Sequence, residues 1–179
     1  MNLLPEDAVD RIADGCREIG KICQAQGIQQ WEIVASQSYG HSIDIEAGKI
    51  SLAAGGGEGG YGIRVVEDGR FGYAYLVDLG SADYAIQQAR DIAKMSPSVA
   101  GFTLPSEQTA EKVAGLFDKN ILSIGPEDLL EQADAILSEV ASLDERAIVT
   151  GGGLGVGASA GAILSSEGIE SSGITTSHG

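Results

Sequence analysis

The sequence predicts an α+β fold: an antiparallel or mixed β-sheet built from hairpins, with flanking helices, ending in an incomplete second sheet. Three observations predict it. Two strand–turn–strand units sit close together, centred on Ala47-Gly48 and Asp68-Gly69. Stretches with apolar residues spaced by three and four bracket them, over 5–26 and 81–96. A third such stretch, opening at Gly125-Pro126, precedes glycine-interrupted apolar runs from residue 147 onward.

In the first helix Val9, Ile12, Cys16, Ile19 and Cys23 form the apolar stripe. Pro5 suits a first turn, and Gly27 suits a C-terminal stop. Gly15 and Gly20 weaken this helix locally, by about 1 kcal/mol each relative to alanine. Residues 31–39 read as a strand. The first hairpin joins 42–46 to 49–53, so that Ile45 faces Ile50, Ile43 faces Leu52 and Asp44 faces Ser51. One face is then apolar and the other polar, as a half-buried antiparallel pair requires. The second hairpin joins 61–67 to 70–76. Asp-Gly favours a type I′ turn, and that register sets Val66 against Phe71, Arg64 against Tyr73 and Ile63 against Ala74. The glycine-rich run 55–60 between the hairpins reads as a flexible connection.

Ser81 is the expected N-cap of the second helix, whose stripe is Ala82, Ala85, Ile86, Ala89, Ile92 and Ala93. Pro97 ends it. Residues 98–124 form an irregular connector, with a short helical piece over 110–116. Leu129, Leu130, Ala133, Ile136, Leu137 and Val140 mark the apolar face of the third helix, and Glu127 and Asp128 complement its dipole. Three glycine-interrupted strands are expected over 147–156, 160–166 and 169–177. The expected division is therefore a first unit over 1–124 and the start of a second over 125–179, the two being approximate repeats.

Composition narrows the function. The chain has 179 residues, long enough to bury about 70% of its unfolded surface without disulfides or metal. Its 26 glycines are about twice the usual share of ~7%. A net charge of −15 argues against nucleic acid and against an anionic membrane surface, both of which need a basic footprint. No stretch approaches the ~18 apolar residues of a membrane span, and residues 1–10 lack the basic start and apolar run of a signal peptide. Cys16 and Cys23 stand two helical turns apart on one face, too far for an unstrained disulfide. They read as reduced core residues of a cytoplasmic protein.

Few motifs carry chemistry. From Gly151 to Gly157, followed by Ala158, the residues Gly153, Gly155 and Ala158 fit G-x-G-x-x-A after a strand. A nucleotide fold needs a proper helix next, and Gly161 and Ser165-Ser166 break one. Nucleotide binding there is a remote alternative to glycines in strands. A Walker loop is excluded because no lysine follows Lys119. Neither His41 nor His178 lies in H-E-x-x-H or has a histidine at helical spacing, so no zinc site is expected. Ser159 sits in a nominal G-x-S-x-G, but the downstream acid and His178 follow too closely for a hydrolase triad. Glu131 with Asp134, and Asp144 with Glu145, read as solvated. Arg64 interrupts an apolar strand opposite Tyr73, where it stacks on that ring, pairs with a carboxylate, or meets a substrate.

Taken together, the motifs form an ordered string. SIDIEAGKISLAA over 42–54 is followed by a glycine turn and by G-Y-G-I-R-V from Gly60. D-G-R-F-G-Y-A from Asp68 comes next, then a helix ending A-K-M-S-P, then G-P-E-D-L-L from Gly125 and S-S-E-G-I from Ser165. This string resembles the N-terminal region of the TldD/PmbA family, also called modulators of DNA gyrase, from about residue 5 to the end. The resemblance implies a cytoplasmic metallopeptidase system that acts on peptides. In it, TldD-type subunits carry zinc on an H-E-x-x-x-H helix plus a later cysteine, and TldE/PmbA-type partners lack those ligands. It further implies a homodimer or heterodimer with another family subunit, and an N-terminal module that helps enclose a peptide chamber. The zinc helix belongs to a later part of a chain over twice this length, so no cofactor, metal ligand or catalytic residue carries over here. The chain is expected to be a fragment, a truncated product or a stand-alone domain, non-catalytic by itself. Tyr61, Arg64 and Tyr73 are the candidate peptide or interface contacts, and an open sheet edge near residues 174–177 is the expected place for extended peptides to add. The alternative is a stand-alone partner or inhibitor that docks on a full-length family member.

Overall fold

The structure is a computed structural model, and it describes residues 3–106 and 113–179. Its centre is one five-stranded antiparallel sheet in the order β3-β2-β1-β4-β5. The strands are β1 (Gln30–Glu46), β2 (Lys49–Glu67), β3 (Arg70–Leu76), β4 (Gly151–Ser165) and β5 (Glu170–His178). Helices α1 (Ala8–Ala25), α2 (Ala82–Met95) and α3 (Pro126–Leu143) pack on one face of it. No helix among the described residues is long and apolar enough to cross a membrane.

Period-two patterning explains the two layers. On β1, Trp31, Ile33, Ala35, Ile43 and Ile45 turn toward the helices and are buried. They meet Ile63 and Val65 of β2, and Val156, Ala158, Ala160 and Ala162 of β4. From the helices come Ile12, Cys16, Ile19 and Cys23, then Ala85, Ile86 and Ala89, then Leu129 and Ala133. Gly15 and Gly20 are not mere weak points of α1. A Cβ on Gly20 would stand 2.7 Å from the Trp31 ring, and one on Gly15 would collide with the Tyr61 hydroxyl. The two glycines let α1 settle onto the sheet.

Both turns take the expected form, with positive φ at Ala47 and Gly48 and at Asp68 and Gly69. The second hairpin has the expected register throughout. The first departs from it after Ile45–Ile50. Ser51 bulges out, so Asp44 meets Leu52 and Ile43 meets Ala53. The bulge carries Leu52 to the exposed side with Asp44 and sets the smaller Ala53 against Ile43 on the helix-facing side.

Other expectations are corrected. The run 55–60 is no connection but the middle of β2, paired with β1 residue for residue. Strand 31–39 and the first arm of the hairpin are one 17-residue strand. The three glycine-interrupted strands are two, and no second sheet forms among the described residues: β4 pairs with β1 from Glu32–Ser165 to Glu46–Gly151. The sheet and its core therefore run across the expected boundary at residue 124. Ser81 makes no side-chain cap. Asp78 instead accepts from the Gly80 N–H and caps the short 3₁₀ turn ahead of α2. Asp128 reaches back to the Gly125 N–H at 2.7 Å and closes the start of α3. Of the apolar face expected for α3, Leu129 and Ala133 are buried and Ile136 is exposed. The helical piece expected over 110–116 lies partly outside the described residues, and 113–116 are not helical.

Candidate functional site: a cleft over the glycine run

The helix-facing side of β1 changes character halfway along. Between buried Ala35 and buried Ile43, the residues turned toward the helices are Gln37, Tyr39 and His41. Their partners on β2 are Gly59, Gly57 and Gly55. Among the described residues no helix closes over this stretch. It floors a cleft of about 1230 Å³, walled by Leu3, Arg11 and Ile12 on one side and by Pro126 and Glu127 on the other, with Tyr61 and Val77 at its end.

The glycines are required by their neighbours. A Cβ on Gly57 would stand 2.7 Å from the Tyr39 ring and 2.5 Å from the Ser38 carbonyl oxygen, and one on Gly55 would collide with the His41 ring. Tyr39 and His41 lean across onto glycine and meet each other edge to face, with centroids 5.3 Å apart. Sequence reading gave the glycine run no site. The available signal was its period-two alignment with Gln37, Tyr39 and His41, which shows only once β2 is taken as continuous.

The structure separates the three candidate contact residues. Tyr61 points to the helix side and lines the cleft, its ring lying over Gly15. Burial pushes its phenol above the usual range. Arg64 and Tyr73 lie on the opposite face of the sheet. Both readings of Arg64 from its strand position hold: it pairs with Glu32 at 2.6 Å and stacks over Tyr73, 5.9 Å from the ring centroid. Phe102 closes the other side at 6.0 Å, and Arg64 Nε is buried without a partner.

The remaining motifs fall elsewhere. From Gly151 to Gly157 the backbone is strand β4, held on one side by β1 and followed by more strand, so no helix N-terminus stands ready for a pyrophosphate. Ser159 is likewise mid-strand, opposite Ser38 and Thr175. His178 Nε2 sits 3.0 Å from Gln132 Oε1. Among the described residues no three of His, Cys, Asp or Glu converge, so the side chains here do not fit a zinc ion. Cys16 and Cys23 are buried free thiols, as their spacing predicts. Burial raises the first to about 11 and the second to about 12. Asp144 forms a surface pair with Arg146 at 2.7 Å.

Comparison with known proteins adds the family. Residues 31–93 match the family described as PmbA/TldA metallopeptidase domain 1, a span that includes the cleft floor. An uncharacterised protein of Methanocaldococcus jannaschii is 29% identical over 150 residues, 84% of this chain and 34% of that one. The crystal structure of TldE from Thermococcus kodakarensis superposes with a TM-score of 0.81 at 21% identity, over 89% of this chain and 37% of its own. A Bacteroides thetaiotaomicron crystal structure described as a modulator of DNA gyrase gives 0.80 at 21% identity, over 93% and 39%. The chain thus spans about a third of the length of the curated relative, 34%, and under two fifths of these solved chains, 37% and 39%. Profile and fold agree: residues 31–93 match the first domain of the PmbA/TldD family, and the chain shares its fold with these solved structures.

Proposed function

We propose that this chain is the N-terminal, non-catalytic part of a PmbA/TldD-type peptidase system, contributing to subunit assembly and to the wall of a peptide chamber. The observation that carries the reading is the overlap between the matched residues 31–93 and the cleft floor. The chemistry agrees with a binding role. The cleft offers aromatic, apolar and hydrogen-bonding groups, whereas a peptidase centre needs a polarised water or an activated nucleophile. Zinc belongs, on this reading, to a TldD-type subunit or a later domain.

The test is co-expression with a family subunit that carries H-E-x-x-x-H. Size-exclusion chromatography is expected to show a complex, and the complex to cut an unstructured peptide that this chain alone leaves intact. Chelator-sensitive cleavage by this chain alone would sink the non-catalytic reading. Separate elution of the two proteins at tens of micromolar, about the concentration at which weak subunit contacts still form, would sink the assembly role. A second reading, a stand-alone module docking on a longer family member, draws support from the sheet edges at β2 and β5. It predicts binding without any gain in cleavage.

A further inference from the structure

One end of the cleft sets a cation beside a hydroxyl, neither of which has a side-chain partner among the described residues. Arg11 on α1 is the one lysine or arginine among the described residues that line the cleft. It is exposed and forms no ion pair among them. Its helix places two acids at pairing intervals, Asp7 four residues before it and Asp14 three after. Asp14 is taken instead by Arg17 at 2.6 Å, and Asp7 forms no ion pair. Gly15 lies one turn further along α1, about 6 Å of rise. Because Gly15 has no side chain, the Tyr61 hydroxyl reaches the helix there, close enough for the Arg11 charge to act on it. Among the described residues the only tyrosine hydroxyls that hydrogen-bond are those of Tyr75 and Tyr84. Burial holds the Tyr61 phenol above its usual range, so near neutral pH it stays a proton donor.

We propose that this Arg11–Tyr61 end of the cleft is a carboxylate subsite, taking one acidic group of an otherwise uncharged peptide. A guanidinium and a phenol are both donors, and a carboxylate is an acceptor that satisfies both at once. Leu3 and Ile12, buried on the same wall, limit the screening of that contact by water. The acids of the cleft stand elsewhere. Glu127 is on the opposite wall, the Asp128 carboxylate is engaged by the Gly125 N–H at 2.7 Å, and Glu58 pairs with Ser38 on the other face of the sheet. Glu18 acts on Tyr61 from beyond Gly15 and is outside the cleft lining. A lone arginine within a chain of net charge −15 favours a single negative charge over the two of a phosphate. That the carboxylate sits on a peptide rests on the proposed function; the donor pair does not.

The experiment uses the full chain and short peptides carrying an uncharged BODIPY label, read by anisotropy. The parent peptide contains only leucine, serine and glutamine and ends in an amide. In one series a single glutamate is placed at each position in turn; in the other the C-terminus is left as the free acid. At least one acidic peptide is expected to bind about fivefold more tightly than the neutral parent. Gain from an internal glutamate assigns the subsite to a side chain, gain from the free acid alone assigns it to a C-terminus, and either supports it. Arg11→Gln should erase the gain, and Tyr61→Phe should roughly halve it. Lys21→Gln, an equal change in charge on α1 outside the cleft lining, should keep it. Arg11→Glu should turn the preference round, so that lysine at the same position binds more tightly than glutamate. Equal binding of acidic and neutral peptides, a gain that survives Arg11→Gln, or one that Lys21→Gln also erases would overturn the proposal. So would failure of every peptide to bind. A chain that assembles with a zinc-bearing subunit into an active complex indifferent to the carboxylate would refute the subsite and leave the proposed function standing.

Discussion

Gly72 is where the packing of α2 on the sheet is least forgiving. It lies on β3 facing the helices, and a Cβ built there would stand 2.6 Å from the Ala93 nitrogen, 2.9 Å from the Ala89 carbonyl carbon and closer still to the Ala89 oxygen. These are main-chain atoms, so no rotamer change relieves the clash. In Gly72→Ala the whole helix must retreat until these contacts open to ordinary van der Waals distance. That retreat loosens Ala82, Ala85, Ile86, Ala89 and Ala93, all buried. Overpacking by one methyl costs about 1–3 kcal/mol where neighbours can adjust. With backbone on the far side the upper end applies, about 3 kcal/mol from a total of roughly 5–15. For a domain of this size that is a fall in Tm of about 6–12 °C. The control is Gly173→Ala on β5, where nothing lies within 4 Å of the new methyl. That change should leave Tm level or raise it, since alanine has less unfolded-state entropy to lose. Scanning calorimetry of the two variants beside the parent decides the matter. Equal Tm values for both would refute the claim that α2 sits directly on the Gly72 backbone.

Two further outcomes are expected. Arg64→Met should destabilise by about 2–3 kcal/mol, because it strands Glu32, whose side chain is only 12% exposed, without its partner. The double variant with Glu32→Met should lose less than the two single losses combined, and denaturant melts of all four proteins give the coupling. The thiols Cys16 and Cys23, raised to about 11 and about 12, should resist iodoacetamide at pH 8 in the native protein and react once it is unfolded. Between their unfolded value near 9 and those folded values, the native state keeps protons that the unfolded chain has released. Stability should therefore be full below pH 9 and fall as pH rises toward 12, a slope that alanine at both positions reduces to the part carried by the buried Tyr61 phenol.

What was legible in the sequence is what local chemistry decides. Asp68-Gly69 demands positive φ at both positions, so the turn, its register and the Arg64–Tyr73 pairing follow from two residues. The stripes of α1 and α2 follow from spacing, except that Ile92 of the stripe expected for α2 is exposed. What was not legible depends on partners far along the chain. Residues 55–60 have no apolar alternation, and they read as strand only because β1 lies beside them, with Tyr39 and His41 needing the space that side chains would occupy. The glycine-rich strand β4 was recognisable as strand, but its place beside β1 rather than in a sheet of its own is a matter of topology. The Ser51 bulge was hidden because the unbulged register also looks amphipathic. The cleft was hidden for a related reason. Tyr61, Arg64 and Tyr73 are neighbours in the sheet, yet period two sends Tyr61 to one face and the other two to the opposite one.

The glycines therefore divide by what a side chain would meet, a division that no glycine motif in the sequence shows. Gly15, Gly20 and Gly72 are contact surfaces for Tyr61, Trp31 and α2, and they make the two layers close-packed. Gly55 and Gly57 perform the same service for His41 and Tyr39, but at a place where no helix follows, so the space they clear opens to solvent. Gly56, one residue away on the other face, has nothing within 4 Å, so the contacts alternate over 55–57; further along that far face Gly60 is closed by the Tyr75 hydroxyl and the Leu76 carbonyl. A glycine run that served only flexibility would show no such alternation. A run that floors a cleft from one face while keeping the strand's outer edge free must show it, because the strand period carries each adjacent residue to the opposite side.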